Sequence, residues 1–186
     1  MKWMIASDLH GDADCTAALL QQYKSSGAER LILLGDLLYH GPRNDLPAAY
    51  APKKVIELLC AVRDELICVR GNCDTEVDQM VLSFPMLSDT ACLFDGARTW
   101  IATHGHRFST DAPPPLREGD ILLCGHTHVP AFEPFTTPDG VHALYVNPGS
   151  VSLPKQDSAR SYLLLEDNTL RFCTLQGEVY RQEQLL

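Results

Sequence analysis

The residues in this chain best able to do chemistry together fall in five short stretches: Asp8-Leu9-His10, Gly35-Asp36, Gly71-Asn72-Cys73-Asp74, Thr103-His104-Gly105-His106 and Gly125-His126-Thr127-His128. They supply carboxylate, amide and imidazole donors, the set preferred by divalent transition metals. Taken singly, each stretch has a plain alternative. Gly-Asp and Gly-Asn-x-Asp are ordinary turns, Asp12 or Asp14 suits a helix cap, and one His-x-His pair fits a half-exposed strand. The joint pattern points to a two-metal hydrolytic centre.

The elements that must position these donors can be read from apolar spacing. Residues 1–7 form a short apolar run ending at Asp8, residues 30–34 a second ending at Gly35-Asp36, and residues 66–69 a third ending at Gly71-Asn72. Between them, residues 13–26 and 52–63 carry apolar side chains at helical spacing, with Gly27 placed as a C-cap. This β-α-β-α-β order predicts a mostly parallel sheet. Beyond about residue 90 the rhythm shortens, with strands expected at 91–94, 99–103, 121–124, 142–146, 161–165, 170–175 and 179–182. Hairpins are expected at Asp95-Gly96 and Asp167-Asn168, and together these suggest a second, largely antiparallel sheet. Donors just past strand ends gather where α/β sheets bind ligands. On an extended backbone, the i and i+2 members of Asp8/His10 and His126/His128 would share a side. Gly35, Gly71 and Gly125 would permit tight turns before the donors.

Composition narrows the function. At 186 residues the chain reads as a single domain, 1–186, with 45% hydrophobic and 21% charged residues, ordinary for a globular protein. A formal net charge of −9 repels phosphate backbones and argues against bulk nucleic-acid binding, while bound cations would still admit a small phosphate ester. No stretch is long and apolar enough for a membrane span, and the first residues do not read as a signal peptide. Seven cysteines without a Cys-x-x-Cys pair suggest reduced thiols in a cytoplasmic protein.

The ordered motifs resemble the calcineurin-like metallophosphoesterases, with signature D-x-H, GD, GN[HC]D, H, GHxH. Ser7-Asp8-Leu9-His10-Gly11, His40-Gly41-Pro42-Arg43-Asn44, Val69-Arg70-Gly71-Asn72-Cys73-Asp74 and Asn147-Pro148-Gly149-Ser150-Val151 extend the likeness to YfcE-type bacterial phosphodiesterases, up to about Pro154. The resemblance implies an α/β fold of two packed mixed β-sheets flanked by helices, in four α/β/β/α layers. It implies that Asp8, His10 and His128 hold one metal, that Asn72, His104 and His126 hold another, and that Asp36 bridges them. Manganese is the favoured ion, with zinc, iron and nickel also used in the family. Two such ions would generate hydroxide at neutral pH and bind the phosphate oxygens, with Asp36, Asn72, Cys73 and His104 nearest the reaction.

Cys73 stands where many relatives carry His. A thiol is a poorer acid and a weaker donor than imidazole, so easily departing groups and diesters are expected over monoesters; the plain alternative is a small inert filler. His40, Arg43 and Cys73 are candidate substrate contacts, with Arg70 a further candidate phosphate contact against the plain reading of a surface arginine; His106 is a candidate to orient a ligand or meet substrate, and Asp74 a candidate to fix a histidine tautomer. Cys124 beside His126 reads as a buried strand thiol, and His142 as structural. Competing readings are a phosphomonoesterase and a retromer-type binding scaffold with a degraded site. All seven donor positions carry competent ligands here, which favours catalysis. A small phosphodiester is the expected partner, and self-association into a homo-oligomer is a further expectation. Residues 41–52 and 107–119 form long loops of the kind that shape binding sites.

Overall fold

A computed structural model describes residues 1–185. The chain opens with strand β1 (Lys2–Ala6), helix α1 (Ala13–Ser26), strand β2 (Arg30–Leu33), helix α2 (Pro52–Cys60) and strand β3 (Leu66–Cys68). A short helix α3 (Glu76–Val81) follows, then β4 (Thr90–Phe94), β5 (Thr99–Thr103), β6 (Ile121–Leu123), β7 (Pro130–Thr136), β8 (His142–Pro148), β9 (Ser161–Glu166), β10 (Thr169–Thr174) and β11 (Val179–Gln184). Helix α1 starts where the Asp12 side chain accepts the Cys15 N–H and stops at Gly27, whose φ of 71° is left-handed, as capping chemistry requires. Helix α2 begins with Pro52, which fits the first turn because it lacks only an N–H that would go unpaired there. It ends at Cys60, earlier than the apolar spacing suggests; Val62 turns into the core and Arg63–Glu65 continue as a 3-10 turn.

Two mixed sheets result. The first has strand order β11-β10-β9-β1-β2-β3 and the second β4-β5-β6-β8-β7. β1, β2 and β3 are parallel, and β9 adds antiparallel on the other side of β1. The second sheet departs from the largely antiparallel expectation: β5, β6 and β8 run parallel, with antiparallel β4 and β7 at the edges. The reason is connectivity. Long crossovers, not hairpins, join β5 to β6, and the hairpin strands β9, β10 and β11 return to the first sheet. Between β9 and β10, Asp167 and Asn168 both have positive φ, 48° and 64°, as a two-residue type I′ turn demands. β7 was not legible as a strand because Pro130 and Pro134 interrupt it; at a sheet edge, proline leaves no ladder bond unmade.

Side-chain alternation builds two cores. Met4, Ala6, Leu31 and Leu33 face α1 and α2, packing on Leu19, Tyr23, Val55 and Leu59. Trp3, Ile5 and Ile32 face the second sheet, where Trp100, Ala102, Ile121 and Leu123 meet them with Leu163 and Phe172. The Trp3 and Trp100 rings meet edge to face across this interface, centroids 6.2 Å apart. The helices gather on the first sheet. On the outer face of the second sheet, the Cys124 thiol meets the Phe108 carbonyl, so the loop 104–120 closes that side. Among the described residues, no helix is long and apolar enough to cross a membrane.

Trp100 is fully buried and its indole N–H donates to Asp95 at 2.8 Å. Trp100→Ala is expected to destabilise the chain by about 3–5 kcal/mol in chemical denaturation, the range for losing a large buried aromatic.

Candidate metal centre

Every candidate donor follows the C-terminal end of a strand that is parallel to its neighbour. Asp8 and His10 follow β1, Asp36 follows β2, Asn72 follows β3, His104 follows β5, and His126 and His128 follow β6. The backbone at these positions is not extended. Asp8, His10, Asp36, His126 and His128 all have left-handed φ, between 46° and 65°, a conformation uncommon for residues other than glycine and costing about 1–3 kcal/mol each. The same-side presentation of Asp8 with His10 and of His126 with His128 therefore arises from tight turns and not from strand pleating.

The glycines before the donors divide by role. Gly35 has φ 94° and needs glycine's freedom. Gly71 and Gly125 have ordinary φ, and what they supply is room. A Cβ on Gly71 would land inside the Asp36 carboxylate, and one on Gly125 would land on the Ser7 hydroxyl.

The donors are buried: Asp8 0%, His10 1%, Asp36 2%, His104 0% and His128 3% exposed. His10 Nδ1 donates to the Tyr39 carbonyl at 2.8 Å, His104 Nδ1 to Leu34 at 2.6 Å and His128 Nδ1 to Leu153 at 2.5 Å. A carbonyl only accepts, so these bonds place a proton on each Nδ1 and aim each Nε2 inward. His10 Nε2 and His128 Nε2 lie 3.2 Å apart. Asp8 Oδ1 is 3.6 Å from the first and 3.2 Å from the second, and it is buried without a hydrogen-bond partner. Asp36 Oδ2 lies 3.7 Å from His10 Nε2 and 3.5 Å from His104 Nε2. Asn72 Oδ1 sits 3.1 Å from His104 Nε2. His126 stands a step away, its ring 5.0 Å from that of His104, while its backbone N–H donates to Asp8 Oδ2.

This electrostatic arrangement suits cations. Burial would raise the Asp8 carboxyl, but His10 and His128 hold it well below the usual range. Burial likewise opposes ionisation of Asp36, and His104 reverses that. Burial would lower His104, but Asp36 and Asp8 raise it to about 9. Burial and the His104 charge push His126 down to about 4, leaving one ring nitrogen's lone pair free at neutral pH. Facing imidazole lone pairs and an orphaned carboxylate oxygen fit divalent ions well. In groups of three, Asp8/His10/His128 and Asp8/Asp36/His104 each bring ligand atoms within 4.8 Å of one another.

Four residues have roles the sequence did not reveal. Asp74 touches no histidine. Its carboxylate accepts the N–H groups of Asp36, Leu37 and Gly71 at 2.7–2.9 Å, tying the β2 and β3 loops together. Burial nonetheless pushes its carboxyl up to about 6. The Ser150 and Ser152 hydroxyls both donate to the Asp8 carbonyl at 2.9 Å, holding its left-handed turn, and Asn147 donates to the Gly125 carbonyl at 2.8 Å. No chemical signature marks these serines; only their place after a strand in an Asn-Pro-Gly-Ser turn hinted at a role.

A cleft of about 670 Å³ opens over the donors, lined by Asp36, Asn72, His126 and His128 and by Tyr39, Arg43, Cys73, Thr75, Thr127 and Lys155. Arg43 and Cys73 thus reach the cleft. His40 is not in its lining: its ring is set edge-on between Tyr39 and Tyr50. Burial and Asp36 push the Cys73 thiol up to about 12, so it stays protonated. Arg70 instead donates to the Asp74 carbonyl and pairs with Glu76, and with His106 and Arg107 it lines a separate recess behind Asn72. None of the described residues of the 107–119 loop lines the cleft. Burial pushes Cys124 up to about 12, which rules it out as a nucleophile at neutral pH, and all seven cysteines are free. His142 is exposed and bonds Thr136 far from the site.

A family model described as a calcineurin-like phosphoesterase superfamily domain matches residues 1–169. The chain is 43% identical over 178 residues to phosphodiesterase YfcE of Escherichia coli strain K12, covering 96% of this chain and 94% of that one. The solved structure of the E. coli YfcE phosphoesterase matches with a TM-score of 0.92 at 41% identity over 100% of both chains. An archaeal phosphodiesterase, 21% identical with a TM-score of 0.61 over 100% of both chains, shares the fold.

Gly71→Ala is expected to leave a folded chain with a displaced Asp36 carboxylate. Divalent-ion affinity should fall at least about tenfold, the range seen when ligand positioning is lost, as read by equilibrium dialysis alongside circular dichroism.

Proposed function

The chain belongs to the calcineurin-like phosphoesterase superfamily, and from that premise we propose that it hydrolyses phosphodiester bonds in small molecules with two divalent cations. Asp8, His10 and His128 would hold the first cation, Asn72, His104 and His126 the second, and Asp36 would serve both. The observation that carries this reading is the approach of His10 Nε2 and His128 Nε2 to 3.2 Å beside the unpartnered Asp8 Oδ1, an arrangement that is repulsive until a cation or proton enters. The position of Asp36 Oδ2 within 3.7 Å of both His10 and His104 supports a bridging role. Manganese is the proposed ion, because carboxylate and amide oxygens share the site with imidazole. The whole chain acts as one domain, with its thiols reduced, in the cytoplasm.

When bound, such ions lower the pKa of a water towards neutrality and offset phosphate charge. The protein's own share is positioning and field. The backbone carbonyls behind His10, His104 and His128 fix the three rings. Asp8 and Asp36 stay ionised. In the cleft, Arg43 and Lys155 supply positive charge for the non-bridging phosphate oxygens. Cys73 is protonated and a weak donor, so it gives little help to a poor leaving group. That favours diesters with stable leaving groups over monoesters.

Chelator-stripped protein given bis(p-nitrophenyl) phosphate should turn over only after Mn²⁺ is restored, and faster than with p-nitrophenyl phosphate. Asp36→Asn should lower the diester rate at least about 100-fold, and Cys73→His should shift the ratio towards the monoester. A flat response to Mn²⁺, Zn²⁺, Fe²⁺ and Ni²⁺ by folded protein would overturn the reading.

The pH dependence of metal uptake follows from His104. Without metal it keeps its proton up to about pH 9, and a cation must displace that proton. Affinity for Mn²⁺ should therefore rise between about pH 6.5 and 9 and then level off, with proton release detectable by calorimetry in buffers of different ionisation enthalpy. His104→Asn should flatten the slope.

A further inference from the structure

Beside the metal cleft runs a second hollow of about 360 Å³, at the small end of ligand pockets. The two share Tyr39, Cys73 and Thr75. The second is otherwise lined mainly by apolar and aromatic side chains, Tyr50, Ile56, Val77 and Val81 among them. Much of this surface is open: Tyr39 is 41% and Val77 68% exposed. Isolated exposed apolar residues are common, but a groove of them continuous with a polar cleft marks a binding surface.

Its shape is built in. The His40 ring stands edge-on to Tyr39 at 4.7 Å and to Tyr50 at 5.3 Å, so three aromatic rings brace one another. The chain closes behind Tyr50 at Gly11, where any Cβ would collide with the Tyr50 ring. On the far side, the Thr75/Asp78 capping box fixes α3, which buries none of its own residues and so turns Val77 and Val81 to the groove. Cys73 sits at the junction, close against Gly41. Its small side chain leaves the passage between the two hollows open. Among the described residues, the charged ones lining it are Lys53 and Asp78, of opposite sign, so the groove suits a neutral group and not a second phosphate.

We propose that this groove receives an aromatic ester arm of the substrate, an aryl or nucleobase ring stacked on Tyr39 against Val77 and Val81, while the phosphate lies over the metal centre. The inference deepens the phosphodiesterase reading and rests on it. Aromatic rings offer stacking faces indifferent to ring identity, which makes the groove a selector for diesters carrying one flat apolar arm.

The test is calorimetric binding of two non-hydrolysable diester mimics, dimethylphosphinate and methyl(naphthylmethyl)phosphinate, each with two P–C bonds and one negative charge, to Mn²⁺-loaded protein. The naphthyl compound should bind at least about tenfold tighter. Tyr39→Ala and Val77→Asp should each reduce that ratio to about threefold or less, with melting temperatures showing both variants folded. Val77 is exposed on a helix that buries nothing, so its replacement spares the core. Equal affinity of the two probes in the wild-type chain, or a ratio that survives both substitutions, overturns the groove assignment and leaves the hydrolase standing. If neither phosphinate binds the loaded protein, the phosphodiesterase reading falls, and the groove assignment with it.

Discussion

Two ionised carboxylates, Asp8 and Asp36, are buried face to face with imidazoles, and the rest of the molecule is organised around making that tolerable. A buried charge costs several kcal/mol unless it is paired and hydrogen-bonded. Here each carboxylate has several partners. Asp8 Oδ2 takes the His126 N–H and Asp36 Oδ1 the Cys73 N–H, while His10, His104 and His128 approach from the other side. What remains, an orphaned Asp8 oxygen and converging nitrogen lone pairs, is an arrangement completed by cations. The loops that create it are strained, with five donor residues left-handed. That strain is offset by the packing of two sheets around Trp3, Trp100 and Phe172, and by anchors such as Asp74, Ser150 and Ser152 that hold the turns from behind.

The same geometry explains why the site is at once polar and selective. The floor of the cleft is charge and imidazole, fixed by backbone carbonyls. Its side wall at Cys73 is small and uncharged, since burial and Asp36 keep the thiol protonated. In the proposed reaction, a side chain that is neither acid nor base at neutral pH would shift the burden of leaving-group departure onto the substrate. It also leaves space towards Tyr39 and Tyr50.

The sequence carried the donors and most of the strands because both have local signatures. Apolar runs of four to six residues end at Asp8, Asp36 and His104, and α1 starts and stops where Asp12 and Gly27 say it should. The pairing of strands was less legible. Sheet membership of β9, β10 and β11 depends on long-range contacts that no local pattern records, and β7 hid behind two prolines that an edge position tolerates. The left-handed turns at the donors were not legible for a related reason: Asp and His visit positive φ more often than most residues, yet take it up only where tertiary bonds support it, here those to Ser150, Ser152 and Asp74. Asp74 looked like a partner for histidine and instead ties two loops, a role set by backbone N–H groups that sequence does not display.

The most direct measurement is the number of Mn²⁺ ions bound per chain, by equilibrium dialysis and metal analysis, with electron paramagnetic resonance reporting whether the ions are magnetically coupled. Two coupled ions per chain, falling to one or none in Asp36→Asn, is the result this account predicts. Absence of bound metal in folded protein, or uptake that is indifferent to Asp36, would contradict it.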